Sequence, residues 1–183
     1  MKISDVIKKV NSLYPHAYES DTELLVSWCN EVTALIKNRI TPEFKSCVQT
    51  YTGKLALPDG VTYDDVEKVY VNGVLLDKFD ERTNRRSPYN LGDSVKIVYK
   101  EKPVLASIDA ESETYYENVD TACSFPHDVM YVDYLCGQIA FYQNDLSDYN
   151  KFISSYNQRL AEFEKEVVGM LPKQPENRFK NIW

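Results

Sequence analysis

The sequence is short of glycine and histidine, has no long apolar run, and lacks a positive charge balance. Six glycines leave little material for a loop that cradles a phosphate or cofactor, and no Gly-x-Ser-x-Gly, phosphate-loop or His-Glu-x-x-His pattern occurs. The two histidines are His16 and His127. Cys123 and His127 lie four apart, a spacing metals use, but zinc takes about four ligands and no second cluster exists. No metal and no cofactor are therefore expected. None of the four cysteines, Cys29, Cys47, Cys123 and Cys136, forms a Cys-x-x-Cys pair. Free, mostly buried thiols in a reducing cytoplasm are expected. No run approaches the roughly 20 apolar residues of a membrane helix, and MKISDVIKKV is too charged for a signal h-region, so a soluble product is expected. Net charge is −7, which argues against a general nucleic-acid binder. It does not exclude a protein that lets DNA pass without holding it, since like charges repel.

What is present is globular. The 183 residues are 43% hydrophobic and 27% charged, enough to bury a core without disulfides or metals as one domain, or one domain with an insertion. Fourteen tyrosines suit both helix rims and interfaces.

Helical spacing opens the chain: Ile3, Val6, Ile7, Val10 and Leu13, with Ser4 as the expected cap. A second helix starts at a Ser20–Glu23 capping box, carries Leu24, Leu25, Trp28, Val32, Leu35 and Ile36, and stops at Thr41-Pro42. From Phe44 to Val104 the texture is β. SCVQTY and KLALP read as strands, VEKVYVNGVLLDKF as a hairpin with Asn72-Gly73 at its tip, and SVKIVYKEKP as a strand with Val95, Ile97 and Tyr99 on one face. Leu105 to Phe125 reads as an extended arm with a short helix near Glu111 to Asn118. A third helix is expected from Pro126 at its N1 position, with His127 and Asp128 in the first turn and Val132, Leu135, Ile139 and Tyr142 as its stripe. A fourth, capped by Ser147, carries Tyr149, Phe152, Ile153, Tyr156, Leu160, Phe163 and Val167. Only Asn144 to Leu146 separates these two helices, so they should pack antiparallel. Gly169 and Pro172 end the fourth.

Few residues suggest chemistry. Asp64-Asp65 and Asp80-Glu81 are sequence neighbours whose side chains diverge, so they read as solvated turn charges rather than a converging acid–base pair. The loop DERTNRR sets Arg82, Arg85 and Arg86 beside Asp80 and Glu81. It can pair with a neighbour's acidic surface or stay solvated and self-paired. The hairpin tip at Asn72 and Gly73 can project toward another chain or be an ordinary surface turn. The segment PKQPENRFKNIW is locally basic and ends in apolar bulk. A frayed terminus is one reading. The other is a peptide that orders on a partner, with Phe179, Ile182 and Trp183 as anchors and Arg178 and Lys180 as pairing groups.

Three stretches together carry a resemblance: LYPHAYESDTELLVSWCNEVTALI, then VEKVYVNGVLLDK with LGDSVKIVYKEKP, then PHDVMYVDYLCGQIAFYQNDLSDYNKFISSYNQRLAEFEK. The chain resembles head–tail connector (adaptor) proteins of tailed bacteriophages, though its sheet insert is larger than in the mostly helical minimal members. The resemblance implies a non-enzymatic virion protein in a ring, usually dodecameric, docked under the portal protein. The portal lies on one side, the next neck or tail protein on the other, and DNA runs through the channel. In several members of that family the C-terminal segment leaves the helical body to insert into the portal. The resemblance lets the hairpin tip at Asn72 and Gly73 project toward a neighbouring ring, and it places the chain in the virion neck after assembly in the host cytoplasm.

The expected fold is α+β, mainly α: an antiparallel helical bundle with an inserted small antiparallel β-sheet and an extended C-terminal tail. The expected divisions are 1–43 for the N-terminal helices, 44–104 for the sheet insert, 105–125 for the arm, 126–171 for the helical hairpin and 172–183 for the docking tail. Two alternatives stand beside the adaptor. One is another neck or tail-completion protein, a stopper or tail terminator. The other is a small cytosolic enzyme without a recognisable motif.

Overall fold

The computed structural model of the chain describes residues 1–14, 18, 21–76 and 89–170. Its class is α+β. The described residues contain helices α1 (Ile3–Leu13), α2 (Thr22–Leu35), α3 (Val129–Tyr142) and α4 (Leu146–Met170), and strands β1 (Phe44–Thr50), β2 (Val66–Val71), β3 (Val74–Leu75) and β4 (Ser94–Lys100). They fall into two compact units: a helical unit of Met1–Ile36 and the chain from Leu105 onward, and a sheet unit of Lys37–Val104.

In the helical unit, Ile3, Val6, Ile7 and Val10 of α1 are buried, as their 3.6-residue spacing requires. Leu13 does not continue the stripe. It is exposed, because α1 ends there and Tyr14 turns the backbone to an extended conformation. Ser4 is not the cap either. It lies inside the helix and is buried. The start of α1 is held by a distant segment instead: Ile3 N–H donates to Val119 O at 3.0 Å and Thr121 N–H to Met1 O at 2.8 Å. The Met1 ammonium lies 3.3 Å from buried Asp128. In α2 the cap is Asp21, whose carboxylate accepts from Leu24 N–H at 3.1 Å. The expected partner Ser20 lies outside the described residues. A π-type turn over Ile36–Ile40 follows α2.

Helix α3 is the hub. Met130, Tyr131, Leu135, Cys136, Ile139 and Ala140 are all buried, so its apolar surface wraps around it rather than forming one stripe. The reason is its neighbours, since it packs on α1, α2 and α4. Tyr142, expected in the stripe, is about half exposed. Pro126 is not at N1, because the helix begins at Val129 and the turn that holds Pro126, His127 and Asp128 precedes it. Helix α4 begins with Asp145 accepting from Asp148 N–H at 3.0 Å, so Asp145 is the cap and not Ser147. Between α3 and α4, Asn144 takes φ 59°, a left-handed value that Asn tolerates. The two helices run antiparallel. Arg159 Nε donates to Asp133 at 2.8 Å, the Tyr134 and Tyr156 rings lie 5.0 Å apart, and Phe141 and Tyr149 lie 5.5 Å apart. Gly137 lets the helices close: a Cβ there would sit 2.7 Å from Ile153 Cδ1.

The segment from Leu105 to Phe125 holds no helix over Glu111 to Asn118. Turns replace it, because short polar side chains take backbone donors locally and compete with helix formation. Ser107 Oγ accepts from Asp109 N–H at 3.0 Å, Asp109 Oδ1 from Glu111 N–H at 3.0 Å, and Ser112 Oγ from Thr114 N–H at 3.2 Å. Nor is it a free arm. Both backbone groups of Ala106 bond the Asn30 carboxamide at 2.8 and 2.9 Å. Buried Tyr131 takes Ala122 N–H at 3.0 Å and pairs with Thr33 Oγ1 at 2.8 Å.

The sheet unit orders its strands β1-β4-β2-β3, all antiparallel. Val69, Val95 and Ile97 point inward and are fully buried with Tyr51, Leu55 and Tyr89. KLALP is not a strand. Its Leu55 enters the core, while the Gln49 carboxamide takes both backbone groups of Ala56, at 2.8 and 3.1 Å. One side chain thus supplies the two bonds that a strand neighbour would supply. Among the described residues, no helix is long and apolar enough to cross a membrane.

Candidate interaction surfaces

The expected site residues are spread through the chain. Asn72 and Gly73 form the β2–β3 turn with φ 50° and 84°, the pair of positive values a type I′ turn demands. The Asn72 carboxamide also serves the fold. Its Nδ2 donates to Asp93 Oδ1 at 2.8 Å and its Oδ1 accepts from Ser94 N–H at 2.9 Å. The tip itself is exposed. Arg82, Arg85 and Arg86, and Arg178, Phe179, Lys180, Ile182 and Trp183, lie outside the described residues.

His127 meets Glu166 through Nε2 at 2.7 Å and stands over Phe163. Burial pushes the Cys29, Cys123 and Cys136 thiols up to about 12, so they are poor nucleophiles at neutral pH. Among the described residues no group of three or more His, Cys, Asp and Glu could hold a metal. Asp65 closes its own turn, accepting from Thr62 N–H and Thr62 Oγ1, both at 2.8 Å. The backbone bond, helped by the hydroxyl, holds its carboxyl below the usual range.

The sheet unit contains a shallow cleft of about 290 Å³ that Lys45, Asp65, Tyr99, Glu101 and Lys102 help to line. Its charges neutralise one another. Lys45 pairs with Glu101. Lys102 donates to Gly60 O at 2.8 Å and lies 3.9 Å from Asp65. Paired ions of this kind already spend their hydrogen bonds on each other.

Larger features are apolar. At one end of the helical unit the Tyr14 ring meets Phe152 edge-on at 5.5 Å, Trp28 stacks on Tyr142 at 5.7 Å, and Phe141 meets Tyr149. Around these rings Leu13, Phe141 and Leu146 are 68%, 52% and 64% exposed. Along α4 only Tyr156 is buried. The other members of its stripe, Tyr149, Phe152, Ile153, Leu160, Phe163 and Val167, are half-buried.

Charge is divided as sharply. Residues 37–104 hold 12 Lys and Arg against 10 Asp and Glu, and the remainder of the chain holds 9 against 18. From Pro103 to Asn150 there are nine acidic residues and no Lys or Arg. Sequence reasoning took the acidic balance as a property of the whole chain and missed this division. The run without a basic residue was the available signal. No protein-family model matches the chain, and no curated protein matches it significantly.

Proposed function

We propose that the chain is a non-enzymatic structural subunit: a head–tail connector (adaptor) of a tailed-bacteriophage particle, forming a ring, dodecameric as the resemblance implies, below the portal. In this reading the four helices are an antiparallel bundle that forms the body, and residues 44–104 are an insert. The 172–183 tail docks through Arg178, Phe179, Lys180, Ile182 and Trp183 on the portal protein or a neighbouring copy. The next neck or tail protein binds the opposite side, and DNA passes through the channel without sequence-specific contact. The chain then resides in the virion neck after assembly in the host cytoplasm.

The observation that carries this reading is the apolar surface left open on the helical unit. A helix of 25 residues with one buried side chain, beside an end bearing exposed Leu13, Phe141 and Leu146, supports a body built to be covered by other chains. The acidic helical unit supports a channel wall that repels rather than grips DNA.

Electron microscopy of purified particles carrying a tagged chain tests the reading. Density at the head–tail junction in ring symmetry is expected, together with crosslinks from Trp183 to the portal protein. Absence of the chain from particles, or its presence as a single copy, sinks it. Deleting Phe179 to Trp183 should leave folding intact and weaken assembly.

A further inference from the structure

The outward face of the sheet sets two lysines among apolar and neutral side chains. Side chains alternate across a strand, so burial of Val95 and Ile97 turns Lys96 and Val98 outward. The strand register then sets one row across all four strands: Val48 opposite Lys96, Lys96 opposite Tyr70, and Tyr70 opposite Leu75. A second row sets Ser46 opposite Val98 and Val98 opposite Lys68. Val48 is 67% exposed and Leu75 47%, and Lys68 and Lys96 are exposed. Among the described residues neither lysine has an ion-pair partner. No acidic side chain stands in either row.

The complementary pattern stands on the helical unit. Ser107 N–H donates to Thr114 O at 2.7 Å and Tyr116 N–H to Ser107 O at 2.9 Å. These bonds close the segment from Ser107 to Tyr116 into a knob. Ile108 is exposed on it, as is Leu105 just before it. Asp109, Glu111 and Glu113 are exposed on it, as is Glu117 just after it. Apolar side chains flanked by carboxylates match apolar side chains flanked by lysines.

We infer that the outward sheet face of one copy, through Val48, Lys68, Lys96 and Leu75, docks on the acidic knob around Ile108, Glu111 and Glu113 of a second copy. The two patches differ, so the contact is head-to-tail and its repetition builds a ring or a filament. Charge complementarity argues for this occupant: the exposed lysines of one patch face the exposed carboxylates of the other, with apolar side chains beside both. The inference rests on the proposed self-assembly and names the surfaces that perform it.

The test uses the full chain. A photo-crosslinker at Val48 in one isotopically labelled population, mixed with unlabelled chain, should give intermolecular products mapping to residues 105–117. Lys68→Glu with Lys96→Glu should weaken self-association roughly tenfold, as read by sedimentation velocity at low salt. Glu111→Lys with Glu113→Lys should do the same. Mixing the two charge-reversed chains should restore association, and raising salt should reduce it in the wild type. Crosslinks from Val48 to another region, to nothing, or to added single-stranded DNA overturn the inference. So does wild-type association by both variants. If rings form in particles but ignore these substitutions, the surfaces are wrong and the connector reading stands. If Val48 crosslinks to the knob in a chain absent from particles, the surfaces stand and the connector reading falls.

Discussion

In the helical unit one helix sits at the centre of a core that α1 and α2 help to build, while in the sheet unit strands and connecting loops share it. Helix α3 is covered on several sides, and Tyr131, Leu135 and Ile139 are wholly inaccessible. The sheet buries one face only, with Tyr51, Leu55 and Tyr89 reaching in from outside the strands. Charge follows the same division, with the acidic excess confined to the helical unit. The difference teaches where stability and surface are separable. Up to Ala140 the hub helix has no spare apolar face, so its apolar residues there serve folding. A one-sided sheet has a whole face whose residues folding does not need.

The largest effect should come from the hub. Leu135→Ala should cost about 2–5 kcal/mol, the range for a fully buried leucine left as a cavity. Val48→Ala on the open sheet face should stay within about 0.5 kcal/mol. Urea unfolding followed by far-ultraviolet circular dichroism measures both. Similar losses at the two positions would erase the distinction between hub and open face.

Tyr131→Phe comes next. The ring remains, but Thr33 Oγ1 and Ala122 N–H lose their partner in a buried setting. The expected cost is about 1–3 kcal/mol, that of unsatisfied buried groups. Hydrogen exchange adds a local readout, because the Ala122 amide should exchange faster. Unchanged exchange and stability would show that the phenol is not the tie between α2, α3 and the 105–125 segment.

These two residues also mark how far the sequence could be read. Period-2 alternation at Val95 and Ile97 and the Asn72-Gly73 dipeptide were legible, because both signals are local. The α3–α4 antiparallel pairing was legible from the short link at Asn144. The caps were not. Ser4 lost its role to Val119 and Thr121, more than a hundred residues away, and no local pattern announces such a partner. KLALP reads as a strand, yet the Gln49 side chain takes the place of a ladder at Ala56. The Tyr131 tie and the sheet face of Lys68, Lys96 and Val48 needed the register of segments far apart in sequence. The exposed apolar end of the helical unit was hidden in stripes at Leu13 and Tyr142 that looked buried.

Smaller again is the turn at the hairpin tip. Gly73 holds φ 84° with open space around it, so an added methyl meets only backbone strain. Gly73→Ala should cost about 1 kcal/mol, and Gly73→Asn, which tolerates the left-handed region better, should cost less. Ranking both by thermal unfolding checks the assignment. Equal losses would mean the turn, and not the backbone angle, sets the cost.

The smallest effect is electrostatic and belongs to the sheet unit alone. Asp93 accepts from Asn90 N–H at 2.7 Å and from the Asn72 carboxamide at 2.8 Å. The backbone bond first, then the carboxamide, holds its carboxyl below the ordinary 3.8. A lowered folded value means that its stabilising contribution is present above 3.8 and is lost as pH falls through the folded value. Amide resonances of Asn72, Gly73 and Ser94 should therefore titrate together with a midpoint below 3.8. In Asp93→Asn they should stay flat through the same range, while the helical unit's amides are unaffected by the substitution. A wild-type midpoint at or above the ordinary value would mean that the turn does not hold the carboxylate. The tip would then be fixed by Asn72 and Gly73 backbone geometry alone.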